Sequence, residues 1–480
     1  MINILTAHPR LLSFLTPISI LSLSCIINLM QIYMKPLSNE LSVKATLFTS
    51  ISLALTFLFI APPQYDPFTQ LIFYLLLATT LALCILVSGT YLESSFFKGE
   101  VAFFVCVSLI GLMTSISSQN ICTIFLGIEI SFIGTCNLLG FMQPNRFNQE
   151  GVIKYFILGS IASSIMLFGF GMIYVSTGSA DLGEAVDVLR SMNQSNLWVQ
   201  IGLTAFFIGL SFKIGLVPCH LWAPDTYESA PTVVTAFMMI SFKVVVTSIL
   251  LQSFGHGFNE NLFPFSIKIA GLSILIGSLL TLVQTSVKRL LAYSYISQSG
   301  FLLLCLASPS KLSSLAMPIA FYLISFSFAV ILAFGIIMQL EDRINSNINL
   351  DDLQGLAKSR PWYALGLSVA LLSAAGAPLT AGFISKYLLL PAQITEHAGV
   401  MHLLIASCHI VIFVRFLQLI VHMHRVPNQH VSNEGQLKSP ALSKLILSTV
   451  CIATILLGTI FPNKAIQIIG PMVKSSLKSP

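Results

Sequence analysis

Residues 206–250 read FFIGLSFKIGLVPCHLWAPDTYESAPTVVTAFMMISFKVVVTSIL. The run is mostly apolar and long enough for two membrane-crossing helices, since a span needs about 20 apolar residues. Asp225, Glu228 and Pro231 interrupt it and place a turn near Ser229–Pro231. Lys213 stands about 16 residues before that turn and Lys243 about 13 after it. At roughly 1.5 Å rise per residue both ammonium groups reach similar depth, about 20 Å from the turn. A charge at bilayer depth is costly, which makes each lysine a functional candidate. Pro218 lacks an N–H and clashes with the preceding turn, so it predicts a kink or break in the first helix. His220, at i+7 from Lys213, shares its face if that break is mild.

The remaining chain fits this reading. Of 480 residues, 55% are hydrophobic and 9% charged. Soluble domains carry about 25% charged residues, so this is an all-α integral membrane protein. The net charge of +6 comes from dispersed basic residues and implies no nucleic-acid partner. Nine cysteines stand singly in apolar runs without metal-ligand spacing. They read as small buried hydrophobes, and no metal, haem or iron–sulfur site is expected. The first apolar run, Leu11–Tyr33, is long enough to be a span and lacks a secretory cleavage pattern.

Hydropathy predicts about fourteen spans, from Leu11–Tyr33 to Leu442–Phe461, in a single polytopic domain over 1–480. Most loop lysines and arginines fall in alternate connections, among them Lys35, Lys98, Arg146, Lys154, Lys288, Arg289, Arg343, Lys358 and Arg360. The other connections carry Arg10, Arg190, Lys268 and Lys311. The positive-inside rule then places both termini outside the cytoplasm. Gly178–Asn196 has apolar residues at helical spacing among Asp181, Glu184 and Asp187, which predicts a short amphipathic helix. Glu341–Arg360 is the most polar internal stretch and reads as a solvated loop or docking surface.

Inside the predicted spans, Glu129 is the only deep carboxylate and lies in Ile121–Met142. Lys386 lies in Trp362–Leu390, after Gly376, Pro378 and Gly382, so this helix is a second candidate for interruption. Two broken helices in different halves of a chain point to inverted repeats around a midplane pathway. His402 and His409 share one face of Met401–His422 and join His220 as possible members of a proton path. Arg415 on that helix reads as an interfacial anchor. The chemistry suits lysine, because burial disfavours the ammonium form and a nearby carboxylate restores it. A lysine held between those influences can load and release a proton.

FKIGLVPCHLWAPDTYESAP, GIEIS around Glu129, QTSVKRLLAYSYISQSG at Gln284–Gly300 and GAPLTAGFISKYLLL around Lys386 together resemble a known family. It is that of subunit N of bacterial proton-translocating NADH:quinone oxidoreductase (complex I), in the antiporter-like superfamily. The family has homologues in mitochondria and in plastids. The resemblance runs from the fourth span to the thirteenth. It implies fourteen helices with two inverted five-helix repeats: three N-terminal helices over 1–98, repeats over 99–258 and 259–425, and a last helix and tail over 426–480. It also implies that Glu129 and Lys213 form a coupling pair, Lys243 connects, and Lys386 faces the outlet or a neighbouring subunit. Many relatives have histidine where this chain has Gln298, so any relay there is water-mediated.

By the same resemblance this chain binds no cofactor. NADH, FMN, iron–sulfur clusters and a quinone belong to other subunits of the complex. The implied partners are the other membrane-arm subunits, including further antiporter-like ones, and the lipid bilayer. The number of spans favours a bacterial cytoplasmic (inner) membrane over the mitochondrial inner membrane. The alternative function is a stand-alone Mrp-type cation/proton antiporter subunit. An organic-solute transporter ranks last, because the spans offer a lysine-lined axis and no substrate pocket.

Overall fold

The computed structural model describes residues 18–27, 30, 51, 67–90, 99–141, 146–191, 197–253, 259–307, 312–341, 348–390, 398–425 and 441–459. Among the described residues the regular structure is helical: α1 (Ile18–Ile27), α2 (Pro67–Thr90), α3 (Gly99–Ser117), α4 (Ile121–Phe141), α5 (Arg146–Thr177) and α6 (Leu182–Ser191). The chain continues through α7 (Leu197–Lys213), α8 (Trp222–Ser229), α9 (Thr232–Ser253), α10 (Asn259–Thr281), α11 (Val287–Leu306) and α12 (Leu312–Leu340). It ends with α13 (Leu356–Ser359), α14 (Pro361–Ala375), α15 (Ala381–Leu389), α16 (Ala398–His424) and α17 (Ala441–Thr459). Seven of these contain helices long and apolar enough to cross a membrane, and shorter apolar helices include α1, α7 and α14. Of the predicted N-terminal spans, Lys44–Pro62 apart from Ile51, and residues 11–17, 28–29 and 31–33 of Leu11–Tyr33, lie outside the described residues.

The centre of the bundle is α9, α11 and α12. Nearly every side chain of α9 and α11 is buried, although α11 carries Lys288, Arg289, Ser294, Ser297, Gln298 and Ser299. By contrast α5 and α16 expose apolar rows, including Phe156, Ile157, Ile161 and Phe168 on α5. Lipid tails are as apolar as leucine, so helices in a membrane associate through close packing. Here a Cβ on Gly111 of α3 would lie 2.5 Å from the Gly127 carbonyl oxygen of α4, so only glycine permits the approach. In the second half Gly300 of α11 meets the Ala270 carbonyl of α10 in the same way, at 2.7 Å.

That correspondence extends along both halves. Asn120, just before α4, bridges to Asp181, which follows α5 and precedes the short α6. Ser286, just before α11, bridges to Asn349, which follows α12 and precedes the short helices at 351–359. The two bridges lie at opposite ends of the bundle. α5 starts beside α8, where Thr226 donates to the Gly151 carbonyl, and runs about 48 Å before it reaches Asn120 and Asp181. α11 starts beside the end of α8, where Lys288 donates to the Ala230 carbonyl. So α4 and α11 enter the bundle from opposite sides, as an inverted repeat requires.

The polar stretch 341–360 differs from expectation. Residues 342–347 lie outside the described residues, but Ile348–Leu350 pairs with Thr285–Val287 through backbone hydrogen bonds of 3.1 and 2.9 Å. Leu353 and Leu356 are buried, so this segment is folded against the bundle and is not a solvated loop. Apolar residues at 350, 353 and 356 supply the face that docks. The predicted amphipathic helix forms as α6, with Leu182 and Ala185 fully buried.

Candidate functional site

The first interruption separates α7 from α8. α7 ends at Lys213, and residues 214–221 are non-helical, with Gly215 at φ +66° and a cis Val217–Pro218 bond. The last carbonyls of a helix have no partner within it. Here the local chain supplies them: Gly215 N–H and Trp222 Nε1 both donate to the Phe212 carbonyl at 3.0 Å, and Leu216 N–H donates to that of Ser211. Val217 N–H finds Ser273 Oγ of α10, 3.0 Å away. The break is therefore a built feature, and it is not mild. His220 lies buried inside it and does not continue the helical face of Lys213, so the shared-face expectation fails for want of a continuous helix.

With those carbonyls occupied, Lys213 turns to side chains. Its Nζ is 3.3 Å from Glu129 Oε1 of α4 and 3.3 Å from Ser163 Oγ of α5, and it sits 3.9 Å above the Phe132 ring. Ser163 Oγ donates to the same Glu129 oxygen at 2.5 Å. The Lys213 side chain is fully buried, while that of Glu129 is 20% exposed. Three helices thus meet at one carboxylate oxygen.

The second interruption separates α14 from α15. Gly376 ends α14 at φ +86°, the left-handed conformation that favours glycine. Pro378 follows in the gap, and Thr380 starts α15. Lys386 folds back across the gap and donates to the Ala374 and Ala375 carbonyls, both at 2.9 Å. Gln298 Nε2 of α11 donates to the same Ala374 carbonyl at 3.2 Å, and Tyr322 OH donates to Gln298 Oε1 at 3.4 Å. Lys243 stands between the two sites on α9. It is wholly buried, donates to the Tyr295 carbonyl at 3.3 Å, and lies about 4 Å from the faces of Tyr295 and Phe326. Among the described residues neither Lys243 nor Lys386 has a carboxylate at ion-pair distance.

Residues 118–412 match the family described as "NADH:quinone oxidoreductase/Mrp antiporter, TM". The chain belongs to that family. A curated relative, NADH-quinone oxidoreductase subunit N of Hydrogenovibrio crunogenus, is 33% identical over 327 residues, covering 67% of each chain. The fold is that of a chain of respiratory complex I from Thermus thermophilus solved with bound aureothin. The TM-score is 0.77 at 24% identity, over 94% of this chain and 98% of that one. A chain of the Mrp complex from Dietzia sp. aligns with TM-score 0.81 at 16% identity, over 97% of each. The matched family segment contains Glu129, Lys213, Lys243, His220, His409 and Lys386.

Some charges stand where the sequence did not put them. Lys288 and Arg289, counted among the loop charges although they begin the predicted span Val287–Leu306, are in the first turn of α11. Lys288 is buried and paired at 2.8 Å with Glu341, whose side chain is only 5% exposed. Glu341 thus lies more deeply enclosed than Glu129, and Glu129 is not the only enclosed carboxylate. Both residues sit at helix ends, where a linear reading assigns charges to water. Arg289 bonds Asp225 at 3.1 Å and Glu228 at 3.0 Å, and Lys154 bonds Asp225 at 2.8 Å. Ser163 was missed because one serine among many apolar residues carries no signal until α4 and α5 are packed. Arg415 donates to the Gln284 carbonyl, in the connection between α10 and α11, at 2.8 Å. His409 is half-buried, bonded to the Ile405 carbonyl and edge-on to Phe301, whose ring also packs on Tyr322. The side chain of His402 lies outside the described residues.

Proposed function

We propose that this chain is an antiporter-like membrane-arm subunit of a proton-translocating NADH:quinone oxidoreductase, and that it moves protons through Glu129, Lys213, Lys243 and Lys386. The observation that carries this reading is the enclosed Glu129–Lys213 pair at a helix interruption, followed by two lysines held without carboxylates. A lysine with a counter-charge holds its proton; when the pair opens, burial favours release. The chain performs no redox step in this reading, and NADH, FMN, iron–sulfur clusters and quinone are used by neighbouring subunits. Bacterial subunit N relatives support a bacterial inner-membrane location, in a membrane arm beside other antiporter-like subunits. His220 and His409 are path candidates of lower rank, because neither touches the four central residues in the described contacts.

The test is NADH-driven acidification of inverted membrane vesicles, normalised to assembled complex. Arginine keeps the charge of lysine and in effect never releases its proton. Lys213→Arg and Lys386→Arg should therefore pump almost as poorly as the methionine variants. Full pumping by both arginine variants would remove these lysines as carriers. Mild-detergent purification separates the Mrp alternative, since a complex I subunit co-purifies with flavin and iron–sulfur absorbance.

A further inference from the structure

Two cavities lie between Lys386 and the end of the bundle that carries the 229–231 turn, and Gln298 lines both. One, of about 30 Å³, lies between α9, α11, α12 and α14 and is lined by Met239, Leu291, Ser294, Tyr295, Gln298 and Phe334. The other, of about 10 Å³, is lined by Gln298, Tyr322, Ser325, Ser373, Ser385 and Lys386. A water needs roughly 10–15 Å³ of such space and several polar partners, so the first has room for about two waters, with Ser294, Tyr295 and Gln298 as its polar groups, and the second for about one. Gln298 lines both cavities, and its amide also shares the Ala374 carbonyl with Lys386. The Lys386 end of this route thus offers polar groups from Gln298, Tyr322, Ser325, Ser373 and Ser385 beside the apolar Phe326 and Ala329.

Beyond the first cavity, toward the turn end, stands Glu341, two turns past Phe334 on α12. The helices that line the first cavity carry, at their ends nearest the turn, Thr232 on α9, Lys288 on α11 and Glu341 after α12. Leu291 is one turn from Lys288, and Phe334 and Met239 are two turns from Glu341 and Thr232, about 10 Å along each helix. Thr232 Oγ1 donates to Glu341 Oε1, and Lys288 Nζ pairs with that same oxygen at 2.8 Å. The hydroxyl, carboxylate and lysine repeat the chemistry of Ser163, Glu129 and Lys213. We propose that Glu341, with Lys288 and Thr232, is a second proton-handling site: the mouth of a route from the turn end of the bundle through both cavities to Lys386.

In this step the Glu341 carboxylate takes a proton from hydronium at the turn end, leaving water. It passes that proton to a cavity water and is a carboxylate again; the neutral amine of Lys386 receives the proton as ammonium. Among the described residues, the charged group paired with Glu341 is Lys288 from α11; Arg289 beside it is turned to Asp225 and Glu228 of α8. α9 contributes the hydroxyl of Thr232.

The inference rests on the proposed function, and the test keeps the two apart. In inverted vesicles containing the whole complex, NADH-driven pumping is compared for wild type, Glu341→Gln, Glu341→Gln with Lys288→Met, and Lys386→Met. The double variant removes the carboxylate without leaving a buried lysine unpaired. Both Glu341 variants should lose pumping by at least about tenfold. The deficit should be smaller at about pH 6 than at about pH 8 on the turn side, because scarce protons make uptake limiting. A structural lesion would give equal fractional loss at both. Wild-type pumping by the double variant, or a pH-independent deficit, overturns the mouth; if Lys386→Met is also inactive, the parent reading stands. Wild-type pumping by all variants overturns both.

Discussion

Lys213 and Lys386 flank the two helix interruptions, yet they are held by different partners. At the first break the chain satisfies its own freed carbonyls, through Gly215, Leu216 and the Trp222 indole. Lys213 is left to find Glu129 and Ser163 on two other helices. At the second break the Ala374 and Ala375 carbonyls remain available, and Lys386 takes both. Both ammonium groups lie at the C-terminal, negative end of a half-helix. The difference teaches what each site can do. A pair built across three helices opens when one helix shifts. A lysine held by its own interrupted helix moves with its acceptors and keeps them. The first site is suited to switching, and the second to receiving and passing on.

Removing the Glu129 counter-charge should have the greatest consequence. Truncating one partner of a buried ion pair costs about 3–5 kcal/mol, less here because Glu129 is partly exposed. Glu129→Gln should therefore cut vesicle acidification by at least about tenfold. Glu129→Asp should retain part of it, since the carboxylate survives on a shorter stem. Equal pumping by the Gln variant and wild type would dissolve the distinction between the two sites.

At the second site the equivalent lesion is in the backbone. A Cβ on Gly376 would meet Lys386 Cδ at 2.9 Å, at a φ of +86°. Left-handed backbone costs a non-glycine residue roughly 1–2 kcal/mol. Gly376→Ala should lower the thermal stability of the purified complex and slow pumping. A melting point unchanged in Gly376→Ala would show that the cap is not what holds Lys386.

How much of this was legible in the sequence depended on how residues announce themselves. Lys213, Lys243, Glu129 and Lys386 stood out as charges in apolar runs, and Pro218, Gly376 and Pro378 marked both breaks. Gln298 was noted, but its place between two cavities follows from packing α11 against α12 and α14. The Lys288–Glu341 pair was misread because each lies at a helix end in sequence. Burial comes from the 348–350 segment and α9 closing over that end, which no local pattern encodes.

Ser163→Ala sharpens the comparison further. It removes one hydroxyl from the Glu129 oxygen and leaves the ion pair in place. A net hydrogen bond contributes about 1 kcal/mol, so pumping should fall by about fivefold at most. The same change at Ser385, whose hydroxyl bonds the Gly382 carbonyl of its own helix, should be milder. A reversed order would mean that the second site carries the finer tuning.

The smallest effect is expected at the turn end, where Lys154 of α5 bridges Glu150 and Asp225 of α8. This bridge joins the helix carrying Ser163 to the half-helix that follows Lys213, so it is placed to transmit a shift of α8 to the pair. Its exposure argues the other way: the Lys154 side chain is 40% exposed, and exposed pairs contribute about 0.2–1 kcal/mol and weaken with salt. Arg289 also holds Asp225, so α8 keeps one anchor when Lys154 is lost. Lys154→Met should therefore reduce pumping by less than about fivefold, and the loss should shrink as ionic strength rises and wild type loses the same bridge. The measurement is acidification by vesicles at low and high salt. A salt-independent loss as deep as that of Glu129→Gln would mean that Lys154 acts on the pair itself, and the switch would then extend from Glu129 to the end of the bundle.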